Sequence, residues 1–312
     1  MSSECSNQNI DSLKPVVNYL VHNSISNNTH AVYNNARRSF ETFRCRYALN
    51  SEWPPPTDHV INYIAYLFES TCSPSTARSY LSGLSFYMKS KGFDDVTDNF
   101  IVRKMLEGFQ RCKRSRDLRA PITWTLLSRI LSVLPHVCRT GYEALLFSAA
   151  YLLAFFAFLR VSEIAISRKT RDSVIRLQDI SFGLGTLNVT IRYSKNDQLG
   201  KGVTLCFKNE GRCKNLFATL KSYIKTRPNT NNDVFLIHAD GSPVTSYQFS
   251  AILKKSLNFL NIASSFFRSH SFRIGAATQA FIDGLSESEI QTLGRWKSKC
   301  FSNYIRVPAA NH

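Results

Sequence analysis

The stretch that decides the reading runs from Ser269 to Arg306, SHSFRIGAATQAFIDGLSESEIQTLGRWKSKCFSNYIR. His270 and Arg273 stand three residues apart, so on a helix they share a face. Ile274, Ala277 and Phe281 continue at helical spacing, and Gly284 supplies a stop. Ser286 with Glu289 forms a capping box for a second short helix, which Gly294 ends. Arg295, Trp296, Lys297, Lys299 and Tyr304 follow. An imidazole, a fixed guanidinium, an indole donor and a phenol thus share one short segment rich in positive charge. That set suits an anionic phosphate centre attacked by a phenol.

The rest of the 312-residue chain fits such a target. Its 39 Lys and Arg against 22 Asp and Glu give a net charge of +17. An excess of that size points to a polyanionic partner, nucleic acid first. Residues 1–120 hold 15 basic and 11 acidic side chains, a net of +4, and residues 121–312 carry the remaining +13. The 44% hydrophobic content is that of a globular protein with its own core. Eight cysteines form no CxxC pair, which reads as reduced, intracellular thiols. The opening MSSECSNQNID has no signal-peptide character, and the apolar run 144–159 is shorter than the roughly 18–20 residues of a membrane span. It is expected to be a buried core helix, with no membrane involvement.

Before that run the chain reads as helices. Residues 1–27 are Asn- and Ser-rich and are expected to be a flexible lead-in. Over 28–112 four helices are predicted: one capped by Thr29, one by Thr57, one opened by Ser75 or Thr76, and one over about 98–112. Together they make a compact bundle. Arg37, Arg38, Arg44 and Arg78 within it are candidate DNA contacts. A basic linker, 113–121, carries Lys113, Arg114, Arg116 and Arg119 and ends at Pro121. It reads either as a solvated connector or as a strap along a phosphate backbone.

Residues 122–312 form the second domain, mostly helical with one small antiparallel sheet. Thr123 caps a helix and the buried helix follows, ending in Leu-Arg-Val-Ser-Glu with Arg160 and Glu163. A charge directly beyond an all-apolar helix is either a structural Arg160–Glu163 pair or a guanidinium held toward a phosphate. Alternating residues predict strands over 175–180, 187–193 and 203–207, with Lys195 in the polar hairpin turn between the last two. A further short strand is predicted over 234–238, and Thr245 caps a helix to about residue 260.

In order and context, Arg160, Lys195, His270, Arg273, Trp296 and Tyr304 resemble the active site of the tyrosine recombinases, the phage-integrase family. The LRVSE box, the SK hairpin, the HSFR box and the GRWKS…Y segment all occur in the family's order, and the resemblance spans about residues 29–306. The GRWKS form and the eight-residue step from Trp296 to Tyr304 look most like eukaryotic mobile-element members, DIRS-like or crypton-like. The resemblance implies a helical DNA core-binding domain and an α+β catalytic domain, with double-stranded DNA as partner and a homo-oligomer on DNA. A nuclear location is expected with it, and no cofactor.

The implied reaction is strand cleavage and rejoining through a covalent 3′-phosphotyrosyl intermediate, for integration, excision or inversion. Arg160 and Arg273 would neutralise the phosphate, and Trp296 would hold one of its oxygens. Tyr304 would attack phosphorus. A free phenol has a pKa of ~10, so only about one in a thousand is ionised near neutrality and a base is needed, for which His270 is the candidate. The resemblance assigns protonation of the leaving 5′-oxygen to Lys195. No carboxylate cluster suited to a metal is apparent, which agrees with metal-independent chemistry. Two other readings stand beside this one: a domesticated DNA-binding protein without catalysis, and a type IB topoisomerase-like nicking-closing enzyme.

Overall fold

Helix starts in this chain are written by short polar side chains, and the computed structural model shows which of them serve. It describes residues 10–113, 117–167, 173–193, 197 and 201–306. The chain divides into two compact units, Met1–Arg116 and Asp117–His312. Among the described residues, no helix is long and apolar enough to cross a membrane.

The first unit holds α1 (Lys14–Asn23), α2 (Asn27–Arg46), α3 (Thr57–Glu69), α4 (Pro74–Ser90) and α5 (Phe100–Cys112). Helices α2–α5 are the expected bundle, packed around Phe40, Phe43, Tyr63, Ile64, Leu84, Met88 and Phe109. The starts of α2, α3 and α4 differ from the expected ones: α3 begins at Thr57 itself, after Pro56, with no side-chain cap. Ser26 caps α2 through Thr29 N, Ser73 caps α4 through Thr76 N, and Asn99 caps α5 through Ile101 N. In the first two, the hydroxyl three residues earlier takes the free amide, so the downstream Thr becomes the amide donor rather than the cap.

Two other features of this unit differ from expectation. Within the lead-in, a 3-10 turn over Ile10–Leu13 runs into α1, a helix the sequence reading did not place there. Pro15 in the first turn and the apolar spacing of Val16, Val17, Leu20 and Val21 favour a helix there, although none of its residues is buried. Its end is tied to α2 by stacking of His22 on His30. Arg44, expected to face DNA, is 1% exposed. Its Nη1 donates to Glu52 O at 2.8 Å and to Asn50 O at 3.3 Å, and its guanidinium lies over the Phe40 and Trp53 rings. The bend leading into Trp53-Pro54-Pro55-Pro56 leaves these carbonyls with no helix partner, and Arg44 satisfies them.

The second unit holds α6 (Trp124–Val137), α7 (Gly141–Phe156), the one-turn α8 (Val161–Ile164), α9 (Cys213–Thr226), α10 (Ser246–Phe259), α11 (His270–Ile282) and α12 (Glu287–Leu293). The apolar helix α7 is the axis of the core: Phe147, Tyr151, Leu152 and Leu153 are buried, and α6, α9 and α11 pack against it. Each such side chain contributes about 1.5–3 kcal/mol of burial.

A three-stranded antiparallel sheet flanks this core, β1 (Ile180–Phe182), β2 (Thr186–Ile191) and β3 (Val203–Lys208), in the order β1-β2-β3. Val189 pairs with Ile180 on one side and Leu205 on the other. Leu187, Val189 and Ile191 point into the core, as their alternation predicts.

The first strand begins later than expected, because the Asp179 carboxylate accepts from Arg176 N at 2.8 Å and closes residues 177–179 into a 3-10 turn. The strand predicted over 234–238 makes only isolated bridges. Tyr223 replaces its ladder: the phenol donates to Phe235 O at 3.0 Å and accepts from Ile237 N at 2.9 Å. A buried hydroxyl thus satisfies backbone groups that a neighbouring strand would otherwise have paired.

Candidate active site

Helix α11 delivers the first two groups. It begins at His270, and just past its end Gly284, with a φ of +84°, supplies the expected stop. Its first turn lies against the chain entering α6, where Ile122 N donates to Ser271 O at 3.0 Å. This approach is possible because residue 275 is glycine: a Cβ there would stand 1.8 Å from Ile122 O. Arg273, on the same helix, is sealed from solvent at 0% exposure.

Two carbonyls from distant parts of the chain hold its guanidinium. Nη1 donates to Phe158 O, just past the end of α7, and Nη2 to Gly294 O, at the end of α12. The Nε of Arg273 has no partner among the described residues. Burial, followed by the charges of Arg160 and Arg295, lowers its pKa, but a guanidinium keeps its proton in any protein.

Gly294 also decides where Trp296 goes. The indole folds back so closely over it that a Cβ on residue 294 would lie 1.7 Å from the ring. Gln291 fixes the indole residue's backbone from both sides, accepting from Trp296 N at 3.0 Å and donating to Trp296 O at 3.1 Å. The ring lies beside the Arg273 guanidinium, 4.6 Å from Cζ to centroid, a cation–π contact in a desolvated place. Trp296 is 5% exposed, and its Nε1 is a buried donor with no partner among the described residues. Buried donors are nearly always satisfied, so an orphan here marks a place for an acceptor.

Tyr304 ends a 3-10 helix over Lys299–Tyr304. Its ring lies 5.1 Å from that of His270 and 4.9 Å from that of Trp296. The Cζ of Arg273 is 5.8 Å from its centroid. Buried Thr278 of α11 anchors the tyrosine's backbone, donating to Tyr304 O at 3.3 Å and accepting from Arg306 N at 3.0 Å. His270 has its pKa lowered to about 4, by burial first and then by Arg119, Arg273 and Arg160. At neutral pH it is therefore an uncharged imidazole, free to accept a proton.

Arg160 arrives from the far end of the core. It precedes α8, and Glu163 holds it twice: Oε2 accepts from Arg160 N at 2.9 Å and Oε1 from Arg160 Nη1 at 3.2 Å. Glu163 also accepts from Arg295 Nη2 at 2.9 Å, and that same nitrogen reaches Phe158 O at 3.3 Å. Phe158 O is thus shared by Arg273 and Arg295, so the turn carrying Arg160 and the turn carrying Trp296 are laced together. Of the two local readings of Arg160 and Glu163, the ion pair is present, and it leaves the guanidinium one-fifth exposed.

Five of the six predicted residues therefore meet in the second unit. Lys195 lies outside the described residues, as do Arg114 and Arg116 of the basic linker. Of the remaining candidates, Arg38 is exposed and Arg37 pairs with Glu41 at 3.6 Å. Arg78 and Lys113 line one groove of about 480 Å³ in the first unit. There Lys113 Nζ is bound to the carbonyls of Phe68 and Ser70. Arg119 enters the cleft beside Tyr304, about 470 Å³ in volume, together with Asp117, His270, Ile274, Cys300, Asn303 and Arg306.

The phage integrase family profile matches residues 128–309. The chain belongs to the phage integrase family. That span includes Arg160, His270, Arg273, Trp296 and Tyr304, and it bears out the resemblance to the tyrosine recombinases. The fold agrees with solved family structures at low identity. A XerH site-specific recombinase bound to palindromic difH substrate in a post-cleavage complex aligns with a TM-score of 0.63 and 16% identity, over 88% of this chain and 74% of that one. A lambda integrase dimer bound to a COC′ core site gives 0.61 and 16%, over 95% and 76%. The Tn1549 transposon integrase with circular intermediate DNA gives 0.61 and 13%, over 94% and 96%. No curated protein matches the chain by sequence.

Three residues of this family site escaped sequence reading. Thr278 hides among the small and apolar residues of α11, Arg295 looks like one more surface cation between Gly294 and Trp296, and Asp117 is a lone acid in a basic linker. Only Arg295 carries a local signal, since a charged residue between a helix-ending glycine and a buried indole has little room to be solvated.

Proposed function

We propose that this chain is a site-specific DNA recombinase that cuts and rejoins double-stranded DNA through a covalent 3′-phosphotyrosyl intermediate on Tyr304. The observation that carries the reading is the placement of the Tyr304 ring between His270 and Trp296, with Arg273 beside both aromatic rings. A phosphodiester offers little purchase for covalent chemistry, so catalysis is positioning and charge neutralisation. Arg160 and Arg273 serve the non-bridging oxygens. The unpartnered Trp296 Nε1 donates to one of them.

As the Tyr304 oxygen bonds to phosphorus, its proton passes to neutral His270. The P–O5′ bond breaks, and the leaving 5′-oxygen takes a proton. The family resemblance assigns that proton to Lys195. Religation runs the same steps backward, with the 5′-hydroxyl attacking the phosphotyrosine.

The protein works on DNA as a homo-oligomer, in keeping with a net charge of +17. The GRWKS motif and the Trp296–Tyr304 spacing support placing it among eukaryotic mobile-element recombinases, DIRS-like or crypton-like, and with them in the nucleus. The two domains act in this reading as a core-binding bundle and a catalytic domain.

The test uses suicide duplexes selected from random sequence, incubated with the full chain in the presence of a chelator. A DNA-linked protein band on a denaturing gel is expected. Absence of the band, or its persistence in Tyr304→Phe, would overturn the proposal.

A further inference from the structure

The recombinase reading uses Tyr304, His270, Trp296 and the two clamp arginines, yet the cleft beside Tyr304 contains a second charged cluster. Asp117, the one acid among the described residues lining that cleft, grips two arginines. Arg119 meets it as a fork, Nε to Oδ1 at 2.8 Å and Nη2 to Oδ2 at 2.9 Å. Arg306 Nη2 reaches Oδ2 at 3.1 Å.

All three residues are held in place. Arg119 N donates to Asp117 Oδ1 at 3.2 Å, and Ala120 N to Phe266 O at 2.8 Å, which lays this segment beside the chain leading into α11. Arg306 N is bound to Thr278. Ile305 is extended (φ −82°, ψ 123°), so residues 304 and 306 face the same side of the chain.

A fork of guanidinium donors around a tetrahedral or planar oxyanion is the arrangement that recognises phosphate as well as carboxylate. The acid is out of place in a cleft meant for a polyanion unless it serves the protein before DNA arrives. We propose that Arg119 and Arg306 form a second phosphate subsite, which takes the DNA backbone phosphate next to the scissile one. Asp117 fills it as an internal counterion until DNA displaces the carboxylate. The proposal rests on the recombinase reading for the word "scissile", and on geometry for the subsite itself.

Two features support it. The arginines share the cleft with the nucleophile and its base rather than lying on an outer face. The charge of Arg119 is also felt at His270, where it ranks after burial and ahead of Arg273 and Arg160 in keeping the imidazole neutral. Filling the subsite with a phosphate in place of Asp117 keeps Arg119 neutralised, and the displaced carboxylate, 37% exposed, turns to water.

The experiment measures binding of the full chain to a double-stranded oligonucleotide of arbitrary sequence across a salt series, with adduct formation read separately on the selected suicide duplexes. Arg119→Gln and Arg306→Gln should each lower the slope of log K against log salt by about 0.9 and weaken binding roughly tenfold at moderate salt. Arg119→Lys should keep the slope, which separates charge from folding. Asp117→Asn should tighten binding by about two- to five-fold.

The double variant Asp117→Asn/Arg119→Gln is decisive. The subsite requires it to bind more weakly than the wild type and to keep the reduced slope of Arg119→Gln, since removing the acid cannot restore the lost guanidinium contact. If it binds like the wild type, or if the single arginine variants leave the slope unchanged, Arg119 and Arg306 are only partners of Asp117 and the proposal fails. Wild-type binding with these slopes but no adduct would remove the recombinase reading and leave a DNA-phosphate subsite standing.

Discussion

Arg295 and Glu163 are 132 positions apart in the chain and form a buried ion pair at 2.9 Å, with side-chain exposures of 6% and 2%. Arg295 makes it from a left-handed backbone conformation, φ +54°, that a side chain other than glycine, asparagine or aspartate rarely adopts. Such strain persists where surrounding contacts over-determine it. Here the contacts are Glu163 and the Phe158 carbonyl, which also support Arg160 and Arg273. Arg295→Ala leaves Glu163 short of a partner and is expected to cost about 3–5 kcal/mol in denaturant unfolding. Arg295→Gly relieves the φ penalty and should recover about 1 kcal/mol of that, but none of the cleavage rate. Equal rates for Arg295→Gly and the wild type would show that the pair does not position Arg160.

Gly294→Ala tests the packing of the indole. The added Cβ needs the space the Trp296 ring occupies, so the ring must leave its place beside Arg273 and Tyr304. A stability loss of about 1–3 kcal/mol is expected, the usual range for overpacking. Adduct formation should fall far more than that loss explains, with a shift in tryptophan emission. Unchanged emission together with full activity would contradict the assigned role of the ring.

His270 gives a sign to the pH dependence. Its folded pKa of about 4 lies below the ~6.5 of a free imidazole. Between those values the unfolded chain binds a proton that the folded chain does not, so stability rises with pH through the window. The contribution is full above the unfolded value and is lost as pH falls through the folded one. Cleavage, insofar as His270 governs it, should be flat from neutrality to about pH 5 and fall toward pH 4. Single-turnover adduct rates across pH check this, with His270→Gln expected to lose the acid limb. An inflection near 6.5 would show that burial and the neighbouring arginines do not depress the imidazole in the working enzyme.

Arg44 and Arg38 are both arginines of α2, and opposite behaviour is expected of them. Arg44→Ala should destabilise the bundle by about 2–4 kcal/mol, read as lost hydrogen-exchange protection in α2 and α3, with no change in the salt slope of DNA binding. Arg38→Ala, at an exposed position, should leave protection intact and reduce the slope by about 0.9. A slope change in Arg44→Ala at full protection would return Arg44 to the DNA-facing set.

The sequence by itself determined the helical class, the apolar axis of α7, the cap at Thr245, the capping box at Ser286, and the residue types of the site. These are local or periodic properties: a cap acts over three residues, and a buried face repeats with the helix turn. It also marked Ser269–Arg306 as the segment bearing base, clamp, indole and nucleophile, because those groups lie within one stretch and in a recognisable order.

Tertiary structure alone decided what closes the site. Phe158 O and Gly294 O receive Arg273, Glu163 extends its local pair with Arg160 to Arg295, and Thr278 holds the backbone at Tyr304; beyond Arg160–Glu163, none of these pairings has a sequence period. It likewise decided that Arg44 is core and that Tyr223 stands in for a strand. A buried hydrogen bond is settled by which carbonyl or amide lacks a partner once the chain has packed, and no neighbouring residue records that.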